Sequence, residues 1–161
     1  GGLIGIIIAA LYTSRIYETK FFEISDLICA SAPVGIFLGR VSNFINGELY
    51  GRPSSTLFGI IFPNADNQYR HPSQLYEAFL EGLILFIILN ISIFFFKTLS
   101  KPGYVSGLFL LLYGLFRFLV EFSREPDIQV GYVYDFLTMG MILSVPMIIA
   151  GISILIVSSK R

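Results

Sequence analysis

The chain has 161 residues, of which 55% are hydrophobic and only 14% are charged, and its mean hydropathy is +0.75. Soluble domains carry about 25% charged residues, so this composition indicates an integral membrane protein. The formal net charge is zero, which argues against a protein that binds nucleic acid. One histidine and one cysteine are too few ligands for a transition-metal site, so we expect no metal.

The first apolar segment covers residues 1–12 and is too short to span a bilayer, which takes about 20 residues. It also lacks the positively charged beginning of a signal peptide. We therefore expect this segment to be the second part of a membrane helix. On this interpretation, residues 1–161 are a single membrane domain that is truncated at its N-terminus.

Four further apolar segments follow in chain order, at about residues 24–39, 74–96, 105–122 and 135–157. The first of these contains Asp26, Ser31 and Pro33, so we expect it to pack inside a bundle rather than to face lipid. The five segments together predict an all-α, multi-pass transmembrane helix bundle. The loop at 40–72 is long enough to form a small head on the membrane surface, in which residues 57–62 suit a short strand or a membrane-surface element.

The positions of the lysines predict the orientation of the bundle. All of them lie in three connections, namely those after the first, third and fifth segments, at Lys20, Lys97, Lys101 and Lys160. Alternate connections lie on the same side of a membrane, and the positive-inside rule makes that side the cytoplasm. The loops at 40–72 and 123–134 then face the outside, and they contain arginine but no lysine. That choice of cation favours ligand binding on the external face.

Ionisable residues occur beside and within the apolar segments, where a charge is costly to desolvate. Arg40 and Glu48 follow the second segment, while Tyr113, Arg117 and Glu121 are spaced four residues apart and share one helix face. A guanidinium group fits phosphate oxygens, and in a bilayer the abundant phosphate is a lipid headgroup. A structural interpretation fits the same spacing equally well, with Arg117–Glu121 as an intrahelical ion pair and Arg40 as an anchor at the membrane surface.

Two further ionisable residues allow more than one role. His71 is the only histidine and could act as a general base. It precedes Pro72 just before a helical segment, and no thiol group is near it in sequence. A helix cap or a contact with a headgroup is therefore the favoured role. Asp26 could cap its own helix or pair with an arginine.

Three runs of sequence resemble a known family. They are residues 39–52 (GRVSNFINGELYGR), residues 71–77 (HPSQLYE) and residues 113–127 (YGLFRFLVEFSREPD). Taken in order along nearly the whole chain, they resemble bacterial prolipoprotein diacylglyceryl transferase. The resemblance implies a multi-pass enzyme of the bacterial inner membrane whose active site faces the periplasm. It would transfer the diacylglyceryl group of phosphatidylglycerol to the lipobox cysteine of a prolipoprotein, forming a thioether and releasing glycerol phosphate.

The resemblance also implies which residues form the site. It assigns catalysis to Arg117, Glu121 and Glu48, and binding of phosphatidylglycerol to Arg40, Asn43, Gly51, Tyr113 and Asp26. The family has a His-Gly-Gly motif whose histidine is a proposed catalytic base, and that histidine would immediately precede Gly1. The family's N-terminal helices would precede it too, so we expect this piece to need them for activity.

The implied partners are phosphatidylglycerol, the prolipoprotein signal peptide with its lipobox cysteine, and membrane lipids, with no nucleic acid, no cofactor and no metal. A lipid phosphatase or a phospholipid-binding transporter would use similar arginines and is the alternative function. Product chemistry distinguishes the three, because a transferase consumes phosphatidylglycerol only when a lipobox peptide is present.

Overall fold

The structure, a computed structural model, describes residues 1–55, 57–63, 65–125, 132–134 and 137–160. Its helices are α1 (Gly2–Ile16), α2 (Phe21–Ile45), α3 (Ser73–Glu77), α4 (Leu85–Phe96), α5 (Tyr104–Val120) and α6 (Met139–Ser159). A π-helical turn, Ala78–Ile84, joins α3 to α4, so that Ser73–Phe96 is one continuous helix. The predicted loop at 123–134 and the start of the predicted segment at 135 lie partly outside the described residues.

Three helices in the described part of the chain are long and apolar enough to cross a membrane, namely Phe21–Ile45, Ser73–Phe96 and Met139–Ser159. The apolar helices α1 and α5 are shorter, at 15 and 17 residues. At 1.5 Å per residue, α5 is about 25 Å long, which is less than the hydrocarbon thickness of a bilayer. The prediction of an all-α membrane protein is confirmed.

Helix α2 is longer than the segment predicted at 24–39. It continues to Ile45, so the prediction that Arg40 begins an external loop is wrong. The helix ends where Gly47 adopts a positive φ of 67°, a conformation that glycine tolerates and that commonly terminates helices. Just before that end, the ring of Phe44 packs edge-on against Phe62 of the head, with centroids 6.1 Å apart. This contact holds the last turn against folded structure and favours its helical form.

Helix packing uses small residues and one apolar core. α2 contacts α1, α3, the π-helical turn, α4 and α5 on one side, but Leu27, Val34 and Leu38 are exposed on the other, so the described helices enclose it only in part. α5 and α6 form the most extensive contact and run antiparallel, since Gly107 lies against Leu155 and Gly114 against Ile148. Small residues let helix backbones approach closely, which is the usual basis of helix association in membranes. Between α4 and α5 the core consists of Leu85, Leu89 and Val105.

The lysine-bearing connections meet at one end of the bundle, as their alternation predicts. Ser158 Oγ, at the end of α6, donates to the carbonyls of Lys101 and Pro102 at 3.1 Å each. Asp26, near the start of α2, reaches the same connection. Its carboxylate accepts hydrogen bonds from Gly103 N (2.8 Å), Ser106 N (2.8 Å) and Ser106 Oγ (2.6 Å).

Asp26 therefore caps α5, and not its own helix or an arginine. The first backbone N–H groups of a helix have no partner within the helix, and a carboxylate satisfies them well. Gly103 and Arg117 are separated by about 20 Å along α5 at the helical rise. This position contradicts the expectation that Asp26 binds phosphatidylglycerol beside the arginines.

At the other end of the bundle lies a small head between α2 and α3. β1 (Ile60–Ile61) pairs antiparallel with β2 (Tyr69–Arg70), which confirms a short strand within residues 57–62. Phe62 is buried and stacks on Tyr50 with centroids 5.5 Å apart. β3 (Tyr132–Tyr134) and β4 (Leu137–Thr138) form a second hairpin, which the sequence did not predict.

We expect Asp26→Ala to lower the melting temperature of the complete protein in detergent. The substitution leaves the first N–H groups of α5 without acceptors in a buried place, at a cost of about 1–3 kcal/mol. Glu18→Ala, at an exposed residue of the α1–α2 connection, is the matched control and should melt like the parent. An unchanged melting temperature combined with weaker binding of phosphatidylglycerol would return Asp26 to the lipid site.

Candidate active site

A buried cluster of charged side chains lies at the end of the bundle opposite the lysines. At its centre is Glu77, the last residue of α3, whose side chain is 0% exposed. Glu77 Oε1 accepts hydrogen bonds from Arg117 Nη1 (2.6 Å) and Arg124 Nη1 (2.9 Å), and Oε2 lies 2.9 Å from Arg40 Nε. Guanidinium groups from α2, from α5 and from the segment after α5 thus converge on one carboxylate.

Two more carboxylates border these arginines. Glu121 Oε2 lies 3.1 Å from Arg117 Nη2, so the predicted pair forms. Glu81, one turn after Glu77, lies 3.8 Å from Arg117 Nη1 and 4.0 Å from Arg40 Nη2. We call these six residues the Arg–Glu cluster. Its members are Arg40, Glu77, Glu81, Arg117, Glu121 and Arg124.

The local backbone explains why Glu77 and Glu81 reach these arginines. Glu81 lies within the π-helical turn, and single π-turns inside α-helices occur often at functional sites. Gly82 in the same turn packs against α2, because a Cβ added there would lie 2.7 Å from Phe37 Cβ. Arg40 follows Phe37 by three residues, about one helical turn. The glycine thereby brings the arginine of α2 to the glutamates.

A second glycine positions Glu121. A Cβ built on Gly140, in the first turn of α6, would lie 2.5–2.6 Å from the carboxylate atoms of Glu121. No side chain fits between them, so the Glu121 carboxylate rests directly on the backbone of α6. This contact and the pairing with Arg117 hold the carboxylate from two sides.

The two loops predicted to share one side of the membrane contact each other at this cluster. Arg52 N and Nε donate to the carbonyls of Ser123 (3.0 Å) and Arg124 (2.8 Å), and Gly51 forms a bridge with Arg124. A Cβ on Gly51 would lie 2.7 Å from the carbonyl oxygen of His71. Close packing of the backbone therefore accounts for Gly51, and the structure gives no basis for direct lipid binding by this residue.

Arg70 links the head to the segment that contains Arg124 and Glu125. Its guanidinium binds both carboxylate oxygens of Asp66 at 2.9 Å, the carbonyl of Gly51 at 3.1 Å and the carboxylate of Glu125. It also lies 5.0 Å from the ring centroid of Tyr50, as in a cation–π contact. Hydrogen bonding to Arg70 lowers the pKa of Asp66 to about 2. The Asp66 carboxylate therefore stays ionised at neutral pH and keeps its ion pair with Arg70.

Of the predicted site residues, Arg40, Arg117 and Glu121 come together, whereas Glu48 does not join them. The Glu48 side chain is exposed, and its Oε1 lies 3.5 Å from Asn46 Nδ2. In the amide orientation that satisfies its hydrogen bonds, Asn43 also donates to Glu48 Oε1, at 3.1 Å. The ion-pair partner of Arg40 is Glu77, which lies on another helix.

Tyr113 lies one turn before Arg117 on α5, and His71 lies where the head joins α3. The ring of Tyr113 stacks on Phe109 with centroids 5.6 Å apart. His71 Nδ1 lies 3.3 Å from Tyr76 Oη, and its carbonyl accepts hydrogen bonds from Gly51 N and Ser73 N. The residue at the N-cap of α3 is Pro72, so His71 joins the head to the helix without capping it.

Sequence reasoning gave no role to Glu77, Glu81 or Gly140, and it considered Arg124 only as one of the arginines of the external loops. A signal existed for the two glutamates, since they are the acidic residues of a continuous apolar helix and are four positions apart. Their convergence on Arg40 depends on helix packing, which sequence spacing does not show. Among the described residues, no three His, Cys, Asp or Glu side chains are arranged to hold a metal ion.

Comparison with known proteins agrees with the three runs of sequence. A family model described as prolipoprotein diacylglyceryl transferase matches residues 1–157. The chain belongs to this family. The curated phosphatidylglycerol–prolipoprotein diacylglyceryl transferases of Rickettsia felis and Rickettsia akari are 57% and 58% identical over 151 residues, which is 94% of this chain and 58% of each relative. That of Rickettsia canadensis is 55% identical over 161 residues, which is 100% of this chain and 62% of the relative.

The chain thus spans about three fifths of the length of these diacylglyceryl transferases. Each run that resembles the family contributes to the Arg–Glu cluster. Arg40 comes from the first run, Glu77 from the second, and Arg117, Glu121 and Arg124 from the third. The three runs that resemble the family are therefore segments that the fold brings into contact.

We expect Gly140→Ala to reduce the activity of the complete protein on the order of 10²-fold, because the new Cβ displaces the Glu121 carboxylate and loosens Arg117. Gly35→Ala is the matched control, since a Cβ there meets nothing within 4 Å and alanine favours a helix over glycine. Both variants should accumulate in the membrane. Full activity of Gly140→Ala would show that the placement of Glu121 is not critical.

Proposed function

We propose that the protein to which this chain belongs transfers the diacylglyceryl group of phosphatidylglycerol to the lipobox cysteine of prolipoproteins. The products are a thioether and glycerol phosphate. The reaction occurs at the bacterial inner membrane, with the active site toward the periplasm. The observation that carries the proposal is the convergence of Arg40, Arg117 and Arg124 on Glu77 in a membrane protein of this family. The Rickettsia relatives, which are named as phosphatidylglycerol–prolipoprotein diacylglyceryl transferases, support the same reaction.

The arginines suit the leaving group of this reaction. When the glycerol carbon is attacked, the bond to the phosphate oxygen breaks and negative charge develops on the departing phosphate. Guanidinium groups that are already fixed in place stabilise such charge without reorganising. Arg40 and Arg117 hold their positions through ion pairs of 2.9 Å and 2.6 Å to Glu77. An arriving phosphate therefore meets cations that are already oriented.

The incoming cysteine must react as a thiolate, since the thiol itself is a weak nucleophile. A guanidinium group next to the thiol favours the thiolate locally, although the glutamates of the cluster offset most of its summed charge. Glu121 and Arg117 lie side by side at 3.1 Å, so a proton acceptor stands next to a phosphate-binding cation. We assign Arg40, Arg117 and Arg124 to the phosphate, Glu77 to holding the arginines in place, and Glu121 to accepting the proton of the thiol beside Arg117.

The test is the fate of phosphatidylglycerol in membranes that contain the complete protein. A transferase consumes the lipid only when a lipobox peptide is added, and it modifies the cysteine of that peptide. Consumption without peptide would make the protein a lipid phosphatase, and intact lipid in both arms would make it a binding or transport protein. Either of those results would refute the proposal.

We expect Arg40→Lys to lose activity on the order of 10²-fold in this assay. Lysine keeps the positive charge but offers a single ammonium group, whereas Arg40 places Nε on Glu77 and Nη2 toward Glu81. Arg15→Lys, at an exposed residue in the last turn of α1, is the matched control and should behave like the parent. Turnover near the parent level in Arg40→Lys would remove Arg40 from the site.

Orientation is tested by labelling single cysteines in a Cys29→Ser background. Gln68 is exposed on the head and Ser100 is exposed between α4 and α5. We expect Gln68→Cys to react with an impermeant thiol reagent in intact spheroplasts, and Ser100→Cys to react only after permeabilisation. The reverse labelling pattern would place the Arg–Glu cluster at the cytoplasmic face and would contradict a periplasmic active site.

A further inference from the structure

Glu81 differs from the other carboxylates of the Arg–Glu cluster. Its side chain is 0% exposed, and neither of its oxygens accepts a hydrogen bond from any described residue. The nearest guanidinium nitrogens, Arg117 Nη1 and Arg40 Nη2, lie at 3.8 Å and 4.0 Å, beyond hydrogen-bonding distance. An ionised carboxylate in a buried place needs such bonds to offset the loss of water. Glu81 is therefore buried but lacks the hydrogen bonds that would stabilise its ionised form.

Charged and titratable groups face Glu81 from each helix packed around it. Arg40 faces it from α2, Tyr113 and Arg117 from α5, and Arg124 from beyond the end of α5. On its own helix the nearest group is Glu77, one turn earlier, and its charge opposes a second negative charge at Glu81. The arginines favour ionisation, but all three already make their short contacts with Glu77.

The charge of the cluster depends on this one residue. Arg40, Arg117 and Arg124 supply three positive charges, and the paired Glu77 and Glu121 supply two negative charges. With Glu81 protonated the six residues sum to +1, and with Glu81 ionised they sum to zero. A phosphodiester carries one negative charge. The anion therefore neutralises the first state, but it leaves the second with an uncompensated charge in a poorly solvated place.

We propose that Glu81 is a proton switch for phospholipid binding, so that the Arg–Glu cluster accepts the phosphodiester of an anionic membrane lipid only while Glu81 carries a proton. The proposal deepens the proposed function and rests on it in one respect, namely that the arginines meet the lipid phosphate. No covalent bond to the lipid forms or breaks in this step. A proton moves between the Glu81 carboxylate and the solvent, and it is held more tightly when the anion is bound.

The linkage has a definite sign. At low pH Glu81 is protonated with and without lipid, so the affinity is constant. As the pH rises past the ionisation of Glu81 in the free protein, binding has to be accompanied by uptake of one proton. The affinity then falls by up to about tenfold per pH unit. By the reciprocity of linked equilibria, bound lipid shifts the ionisation of Glu81 to higher pH.

The experiment measures the dissociation constant of short-chain phosphatidylglycerol for the complete protein in detergent, from about pH 6 to pH 9. The parent should lose affinity with rising pH, while Glu81→Gln, which is neutral and nearly isosteric, should bind tightly at every pH. Glu81→Asp still titrates and should keep a slope. Glu18→Gln, at an exposed residue far from the cluster, is the matched control and should follow the parent.

Several results would overturn the proposal. A flat profile for the parent, or a slope in Glu81→Gln equal to that of the parent, would each do so. If Glu81→Gln does not fold, the infrared spectrum of the parent decides. The carbonyl band of a protonated carboxylic acid, told apart from the ester carbonyls of the lipid by its shift in D₂O, must grow when lipid is added at high pH, and its absence refutes the switch. Proton-linked binding of inorganic phosphate but not of the lipid would also refute it.

The same data separate this proposal from the proposed function. If the parent binds phosphatidylglycerol equally at every pH, only the proton switch fails, and the transferase assignment stands. If the parent binds no phosphatidylglycerol at any pH, the binding role of the arginines fails, and the switch fails with it.

Discussion

The buried carboxylate of Glu77 is the constraint on which this end of the protein depends. An ionised carboxylate taken out of water costs several kcal/mol unless it is paired and hydrogen-bonded. Glu77 meets that requirement only because Arg40, Arg117 and Arg124 reach it from three separate parts of the chain. The end of α2, the end of α5 and the turn that follows are therefore fixed relative to α3. The glycines at 82 and 140 serve this arrangement, because they let α2 and α6 approach the charged residues closely.

The same constraint gives the site its chemical character. Three guanidinium groups held around one carboxylate cannot rotate freely, and a buried environment strengthens their interaction with any further anion. The short length of α5 contributes, because it places Arg117 and Glu121 within the bundle instead of at its surface. Arg52 and Arg70 attach the head to the segment bearing Arg124, through the carbonyl of Arg124 and the carboxylate of Glu125. A substrate phosphate would thus enter a site whose cations and walls are already in position.

The sequence predicted the helices well, because long apolar stretches in a membrane protein have few alternatives to a helix. It also predicted that Arg40, Arg117 and Glu121 lie at one end of the bundle, since the family motifs and the alternation of connections between the two membrane sides agreed. It did not predict which carboxylates form ion pairs with the arginines. Glu48 is near Arg40 in sequence, but it follows the end of α2, whereas Glu77 faces the interior from another helix. Asp26 was expected beside the arginines, but it lies at the opposite end of the bundle. The sequence of a helix does not show whether a buried carboxylate will contact a cation or the N-terminus of another helix.

Asp26 and Glu81 illustrate how contacts separate a structural carboxylate from a functional one. Both are buried in helices of an apolar bundle. Asp26 accepts three hydrogen bonds from the first turn of α5, two of them from backbone N–H groups that cannot move away, so its charge has fixed compensation. Glu81 has no such bonds within the described residues, and its neighbours are side chains that Glu77 already engages. A change in the charge of Asp26 would disturb the fold. A change in the charge of Glu81 alters the net charge of the proposed phosphate site, and binding of phosphatidylglycerol is the measurement that would detect it.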